Sequence, residues 1–311
     1  MSVFLAIASS RAAKTISLAG EWRFALDRND VGTNENWFAK NLPDKIQLPG
    51  ILEAQNYGDE ISIHTPWVLT LYDHFWYLRA DYAAYTNAGS VKVPFLCQPP
   101  RHYLGAAWYQ RDFEIPKNWS GKRVVLFLER PHWKSTVWLD DKEIGSDISL
   151  CTPHEYDFGI VPPGKHRLTI RVDNRMILPY RPDAHSVSDS LDDAWNGIVG
   201  KIELRATPPV WIDDVQVFPN LEKKSVLVQM KIGNITGQAG SGSVAAVFDG
   251  MDSVSVPASA AVKWNAVGGT AEIEVPLLEP KLWDEFHPNL QFFTLQLFSA
   301  SGGHPLMTYP V

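Results

Sequence analysis

The stretch from His64 to Tyr85 carries seven aromatic side chains: Trp67, Tyr72, Phe75, Trp76, Tyr77, Tyr82 and Tyr85. Aromatic faces stack on the C–H face of a pyranose, and the polar edges of Tyr and Trp meet its hydroxyls. A loop of this composition is therefore a candidate sugar platform, with His64, Trp67 and Trp76 as candidate contacts. The alternative is that these rings fill a large sandwich core. A second group gathers further along, where His185 and the carboxylates Asp189, Asp192 and Asp193 precede Trp195 and Asn196. A carboxylate accepts two hydrogen bonds and vicinal sugar hydroxyls supply them. The alternative here is a solvated acidic loop in a Ser-rich segment.

Other chemistries have no seat. The nine His show no His-Glu-x-x-His spacing, and no Gly-rich loop fits a phosphate or dinucleotide fingerprint, so no metal or cofactor is implied. The two cysteines, Cys97 and Cys151, exclude a disulfide framework and a cysteine-rich zinc site. They read either as one bridge or as two buried free thiols. The pairs Asp140/Asp141 and Asp213/Asp214 are adjacent rather than convergent, because neighbours on a strand point to opposite faces, and solvated turns are the expectation for both. Asn118-Trp-Ser120 and Asn234-Ile-Thr236 match the glycosylation sequon, which matters only in a eukaryotic secretory context.

These groups must be positioned by a chain of 311 residues, which at about 150 residues per domain suggests two domains, with one as the alternative. Hydrophobic residues make up 45% and charged residues 20%, an ordinary globular composition that excludes disorder as the main state. The formal charge of −7 is spread along the chain and gives no footprint for nucleic acid or an anionic membrane. Nine of the 12 Trp precede Pro208, so the flat apolar surface is concentrated in the first two thirds. Residues 1–13 contain a short apolar run ending in small residues, similar to the back half of a secretory signal, which points to a periplasmic or secreted protein. A frayed extension is the alternative. No stretch approaches the roughly 18 apolar residues of a membrane helix.

From Lys14 onward the dominant period is two. Lys165–Val172 places His166, Leu168, Ile170 and Val172 on one face and Lys165, Arg167, Thr169 and Arg171 on the other, the pattern of a half-buried antiparallel strand. Further strands are expected at 123–129, 135–139, 225–232, 271–275 and 292–298, each rich in β-branched and aromatic residues and bounded by Gly, Pro, Asn or Asp. One short helix is expected around 34–40, with Asn34 as its cap. The segment 237–243, rich in Gly and Ser, reads as a loop. Pro208-Pro209 marks the best boundary. The expectation is an all-β protein: a jelly-roll sandwich over 14–207, then an immunoglobulin-like sandwich over 208–311.

The order of local motifs carries a family resemblance. Leu18-Ala-Gly-Glu-Trp-Arg-Phe24, Leu48-Pro-Gly50, Ala107-Trp-Tyr-Gln-Arg-Asp-Phe113 with Pro116 and Trp119, Val137-Trp-Leu-Asp-Asp141 with Gly145, Pro163-Gly164 leading to Val172-Asp-Asn174, and Trp195-Asn-Gly-Ile-Val-Gly200 resemble the sugar-binding jelly roll of glycoside hydrolase family 2. Val210-Trp-Ile-Asp-Asp-Val-Gln-Val217 and Leu282-Trp283 with Pro288 and Leu290 resemble the start and end of that family's immunoglobulin-like domain. The family includes β-galactosidases, β-glucuronidases and β-mannosidases. The resemblance implies that Asp193 holds a sugar hydroxyl beside the active site, and that the aromatic stretch forms a loop near it. It also implies a following TIM barrel with two catalytic glutamates. That barrel is expected as the missing partner of residues 14–311, which would then be non-catalytic and have a β-linked glycoside as ligand. Where the family has Asn-Gly in a hairpin turn, this chain has Asp140-Asp141. A stand-alone carbohydrate-binding module and a structural docking module are the alternatives.

Overall fold

The computed structural model of the chain describes residues 14–68, 75–177, 185, 187–191, 194–248, 258–277 and 279–311. The N-terminal segment 1–13, Tyr72, Asp192 and Asp193 lie outside the described residues. Eleven strands are described between residues 14 and 207: β1 (Lys14–Ser17), β2 (Gly20–Asp27), β3 (Asp44–Leu48), β4 (Gly50–Ile51), β5 (Ala106–Ile115), β6 (Arg123–His132), β7 (Lys134–Leu139), β8 (Lys142–Asp147), β9 (His154–Ile160), β10 (Gly164–Asp173) and β11 (Gly197–Thr207). Seven follow: β12 (Val210–Asn220), β13 (Ser225–Asn234), β14 (Gly240–Phe248), β15 (Ala258–Trp264), β16 (Gly268–Pro276), β17 (Phe293–Ser299) and β18 (Met307–Pro310). Helical structure among the described residues is limited to short 3₁₀ turns.

The first set makes two antiparallel sheets, β1-β11-β6-β9 with β4 added beside β11, and β3-β2-β5-β10-β7-β8. Alternation creates the interior: Val124, Leu126 and Leu128 of β6 face Tyr109, Ile115, Leu168, Ile170 and Val172 across one core. The second set makes the sheets β12-β13-β16 and β15-β14-β17-β18 around a separate core that includes Val228, Ile273, Val275, Leu295 and Leu297. The protein is all-β, built of sandwiches, as the period of two requires.

Strand β10 departs from the expected half-burial, since Leu168 to Asp173 are buried on both faces. The outer face of its sheet is roofed by residues 28–43. Trp108 and Trp138 stack at 5.0 Å, Phe38 stacks on Trp138 at 5.5 Å, and Trp108 Nε1 donates to Asp27 Oδ2 at 2.9 Å. Within that roof the expected helix is a single 3₁₀ turn, Trp37–Ala39. Asn34 does not cap it: the turn is entered from Asn36, whose positive φ of 54° breaks any longer helix.

Three further expectations are corrected. Gly240 to Ser243 belong to β14 rather than to a loop, and glycine fits there because a Cβ at Gly240 would lie 2.6 Å from the Trp264 indole. Asp213 and Asp214 sit inside β12 at a bulge, where Asp213 accepts from Trp211 Nε1 at 2.7 Å. Cys97 and Cys151 are free but exposed, not buried. The Asp140-Asp141 turn does join β7 to β8, with Asp140 at φ 54°; its carboxylate accepts from the Arg167 backbone N–H at 2.8 Å.

Candidate functional site

One end of the first sandwich gathers the start of β5, the end of β6, the end of β10 and the start of β11. His132 pairs with Gly197, Ala106 with Asp173, and Ile51 of β4 also with Gly197. Gly197 is required there: φ is +151°, and a Cβ would lie 2.3 Å from the Gly50 carbonyl oxygen. The segments 52–105 and 174–196 leave from this end, and they contain every candidate contact named from the sequence.

Two asparagines fasten these segments to the sheets. Asn196 is fully buried; its Nδ2 donates to Gly105 O at 3.0 Å and Val172 O at 3.2 Å, and its Oδ1 accepts from the Tyr109 hydroxyl at 2.9 Å. Asn174 donates to Tyr103 O and Ala194 O and accepts from Gly105 N–H. Asn174 spends its amide on backbone groups and Asn196 on two carbonyls and a buried phenol, so the polar groups of this interior are paired. Burial also pushes the Tyr109 phenol well above its ordinary range.

Asp189 ties the two segments to each other. Its Oδ2 accepts from Val68 N–H at 2.6 Å and its Oδ1 from Ala194 N–H at 2.9 Å, while Asp189 N–H donates to Val68 O. The side chain is 2% exposed, so the solvated reading of this acidic cluster fails at Asp189. Burial raises its pKa to about 6, against the pull of the two backbone donors. His102 Nε2 lies 3.9 Å from the carboxylate.

The aromatic candidates divide. Trp76 is buried with Val91 and Val93, in edge contact with Tyr77 and Tyr82. Trp67 packs half-buried against His102 at 4.5 Å and Phe95 at 5.0 Å. These rings therefore form a small core of their own beneath the segment. His64 is exposed near Tyr77, and His185 is exposed. Trp195 stacks on His132 at 4.6 Å, and its carbonyl accepts from His132 Nδ1. The structure thus brings Trp195, Asn196, Trp67 and Asp189 to one end of the sandwich, and Trp133 joins them in a cluster with Val68, Val187 and Ala194.

Sequence reasoning missed the fastening roles of Asn174 and Asp189. An Asn directly after an alternating strand, where the chain must turn from the sheet, was the available signal for the first. Elsewhere Ser135 Oγ lies 2.6 Å from His154 Nδ1, a spacing familiar from nucleophile–base pairs, but neither residue is accessible and the same hydroxyl bonds Tyr156.

The sheets and this end define a jelly-roll sandwich coupled to a second β-sandwich. Residues 67–208 match the family model for the sugar binding domain of glycosyl hydrolases family 2. Over these residues, somewhat less than half of the chain, it is similar to the N-terminal sugar-binding domain of glycoside hydrolase family 2. It is 24% identical over 232 residues to the β-glucuronidase of Paenibacillus borealis, a match covering 69% of this chain and 33% of that protein. The fold is shared with Ruminococcus gnavus β-glucuronidase in complex with D-glucuronic acid, at a TM-score of 0.62 and 18% identity, over 99% of this chain and 46% of that one. It is shared as well with the family 2 β-galacturonidase of Eisenbergiella tayi bound to galacturonate, at a TM-score of 0.59 and 18% identity, over 94% and 42%. The chain spans a third to a half of the length of these proteins.

Proposed function

We propose that residues 14–311 serve as the non-catalytic sugar-binding and immunoglobulin-like region of a family 2 glycosidase that hydrolyses β-glycosides, with β-uronides as the favoured substrate class. The observation that carries this reading is the family match over residues 67–208, joined to relatives named for β-glucuronidase activity. In this reading the two sandwiches are separate domains meeting at Thr207 and Pro208. Trp195, His185 and His64 belong to the rim that faces the substrate, while Asn196, Trp67 and Trp76 shape that rim from below; Asp193 is assigned a substrate hydroxyl by the family resemblance alone.

Two features support the division of labour. The carboxyl group raised to about 6, Asp189, has its oxygens bonded to backbone N–H groups and is shut off from solvent, so it cannot serve a glycosidic oxygen. Leu282, Trp283, Phe286, Leu290 and Phe292 of the second sandwich are more than half exposed, a density of apolar surface that suits contact with a catalytic domain.

Two assays test the proposal. The purified 311-residue chain releases no aryl alcohol from 4-nitrophenyl β-D-glucuronide or β-D-galactoside, whereas the native gene product, captured with an antibody against this chain, hydrolyses the glucuronide faster. Turnover by the chain alone, surviving repeated purification, overturns the non-catalytic reading. A native product inert toward every aryl β-glycoside overturns the glycosidase reading.

A further inference from the structure

A cavity of about 470 Å³ opens at the outer edge of β2, lined by residues including Arg28, Trp37, Lys40, Asn41, Asp44 and Tyr57. It exists because β3 is shorter than β2. The pairing of these strands ends at Phe24 with Asp44, so Ala25 to Asp27 continue along an edge that β3 leaves uncovered. The roof segment 28–43 then curves back over the gap and brings Trp37 and Leu42 to its wall.

Size, shape and polarity all bear on the occupant. The volume lies within the roughly 300–1,000 Å³ of small-molecule sites. Two aromatic rings, Trp37 and Tyr57, are half-buried in the lining. Tyr57 is held by Phe24 at 4.8 Å and by its hydroxyl donating to Lys45 O, and Trp37 by its Nε1 donating to Glu35. These rings are fixed before a ligand arrives, which lowers the entropy cost of binding. Around them stand donors and acceptors of both kinds: the Lys40 ammonium, the Asn41 amide and the Asp44 carboxylate, all exposed.

The charges decide between ligand classes. Arg28 is paired with Asp59 at 2.7 Å, so its charge is already answered. Lys40 and Asp44 remain, one positive and one negative, and the lining is close to neutral. An acidic sugar would gain from Lys40 and lose to Asp44. A neutral pyranoside presents an apolar C–H face to Trp37 or Tyr57 and hydroxyls that both donate and accept along the Lys40–Asn41–Asp44 side. An extended peptide would use the free edge of β2, but only three residues of that edge are open, fewer than a typical strand of about five or six.

We propose that this cavity is an ancillary binding site for neutral β-linked oligosaccharides, built from other residues than the rim assigned above to the glycosidase substrate. The inference rests on the sugar-binding reading only for the choice of carbohydrate as ligand class.

Saturation-transfer NMR on the 311-residue chain tests it, with cellotetraose and lactose as neutral probes, glucuronic acid as the charged probe and a Thr-Val hexapeptide as the strand probe. The expected result is transfer to the C–H protons of a neutral probe, with weaker transfer to glucuronic acid and none to the peptide. Trp37→Ala is expected to weaken binding about tenfold or more. Because Trp37 also packs 6.0 Å from Trp108, the exposed variants Lys40→Ala and Asp44→Asn supply independent readings, each expected to weaken binding several-fold with the unfolding midpoint unchanged. Tyr85→Ala, at an exposed position that is not part of the cavity lining, is expected to leave binding as it was. Absence of transfer to both neutral probes, preference for the peptide or for glucuronic acid, or loss on Tyr85→Ala with retention on Lys40→Ala and Asp44→Asn overturns the proposal. None of these outcomes touches the glycosidase reading, which the hydrolysis assays decide by themselves.

Discussion

The Asp189 carboxylate accepts a hydrogen bond from the Val68 backbone N–H at 2.6 Å, joining positions 121 residues apart in sequence. With the second bond from Ala194, one side chain holds two long segments together over the end of the sandwich. Asp189→Ala strands both donors in an apolar setting, at about 1–3 kcal/mol per group. A loss of about 2–4 kcal/mol in urea unfolding is expected, with faster proteolysis within residues 75–104.

The same residue gives a pH signature. Its pKa is about 6 in the fold against an ordinary carboxyl value near 4, so the folded state binds more protons between those values. Its contribution to stability is therefore fully present below about pH 4 and is lost as pH rises through about 6. Relative to Asp189→Asn, which does not titrate, the native chain should lose up to about 3 kcal/mol between pH 4 and pH 7. A difference that moves the other way across this range would mean that the charged carboxylate, steadied by His102, is the favoured form.

Asn196→Ala removes three hydrogen bonds at a fully buried position, to two backbone carbonyls and the Tyr109 phenol. Destabilisation of about 2–4 kcal/mol is expected by denaturant titration. If the unfolding midpoint holds and only sugar binding falls, the fastening role assigned to Asn196 is wrong.

Gly32→Ala probes the roof. A Cβ there would lie 2.6 Å from Trp108 Nε1 and 2.7 Å from Asp27 Oδ2, so the segment must shift or the indole bond must break. About 1–3 kcal/mol of stability should be lost, with a change in near-ultraviolet circular dichroism from the Trp108–Trp138 stack.

Both thiols are exposed and unbridged, so iodoacetamide should add to Cys97 and Cys151 in the native protein without denaturant. Intact-mass analysis reads the two adducts. A single adduct, or none, would show that one of these positions is covered.

The strands were legible in the sequence because their alternation is a local property: β6, β7, β13, β16 and β17 lie within a few residues of where the pattern puts them. Burial of the second face of β10 was not legible, since the roof comes from residues 28–43, more than a hundred positions away. The motif Trp195-Asn-Gly could be found as a pattern, but the work of Asn196 could not, because its partners Gly105, Val172 and Tyr109 come from other strands and loops. Asp189 was grouped with Asp192 and Asp193 because composition does not distinguish a solvated carboxylate from one aimed at two backbone donors. The aromatic stretch was ambiguous for a similar reason: Trp76 in a core and Trp76 on a platform have the same neighbours in sequence.

Strand β1 pairs with β11 in the register Lys14 with Ala206. On a ribosome this pairing must wait until more than 190 further residues have been made, and the rim of the sheet stays open for that time. With synthesis at about 5–20 residues per second, the delay is on the order of ten seconds or more. Until β11 arrives, the β6 edge that it will cover remains able to pair with another nascent chain. The long reach that closes the first sandwich therefore makes its assembly sensitive to crowding of nascent chains and to any chaperone that shields a strand edge.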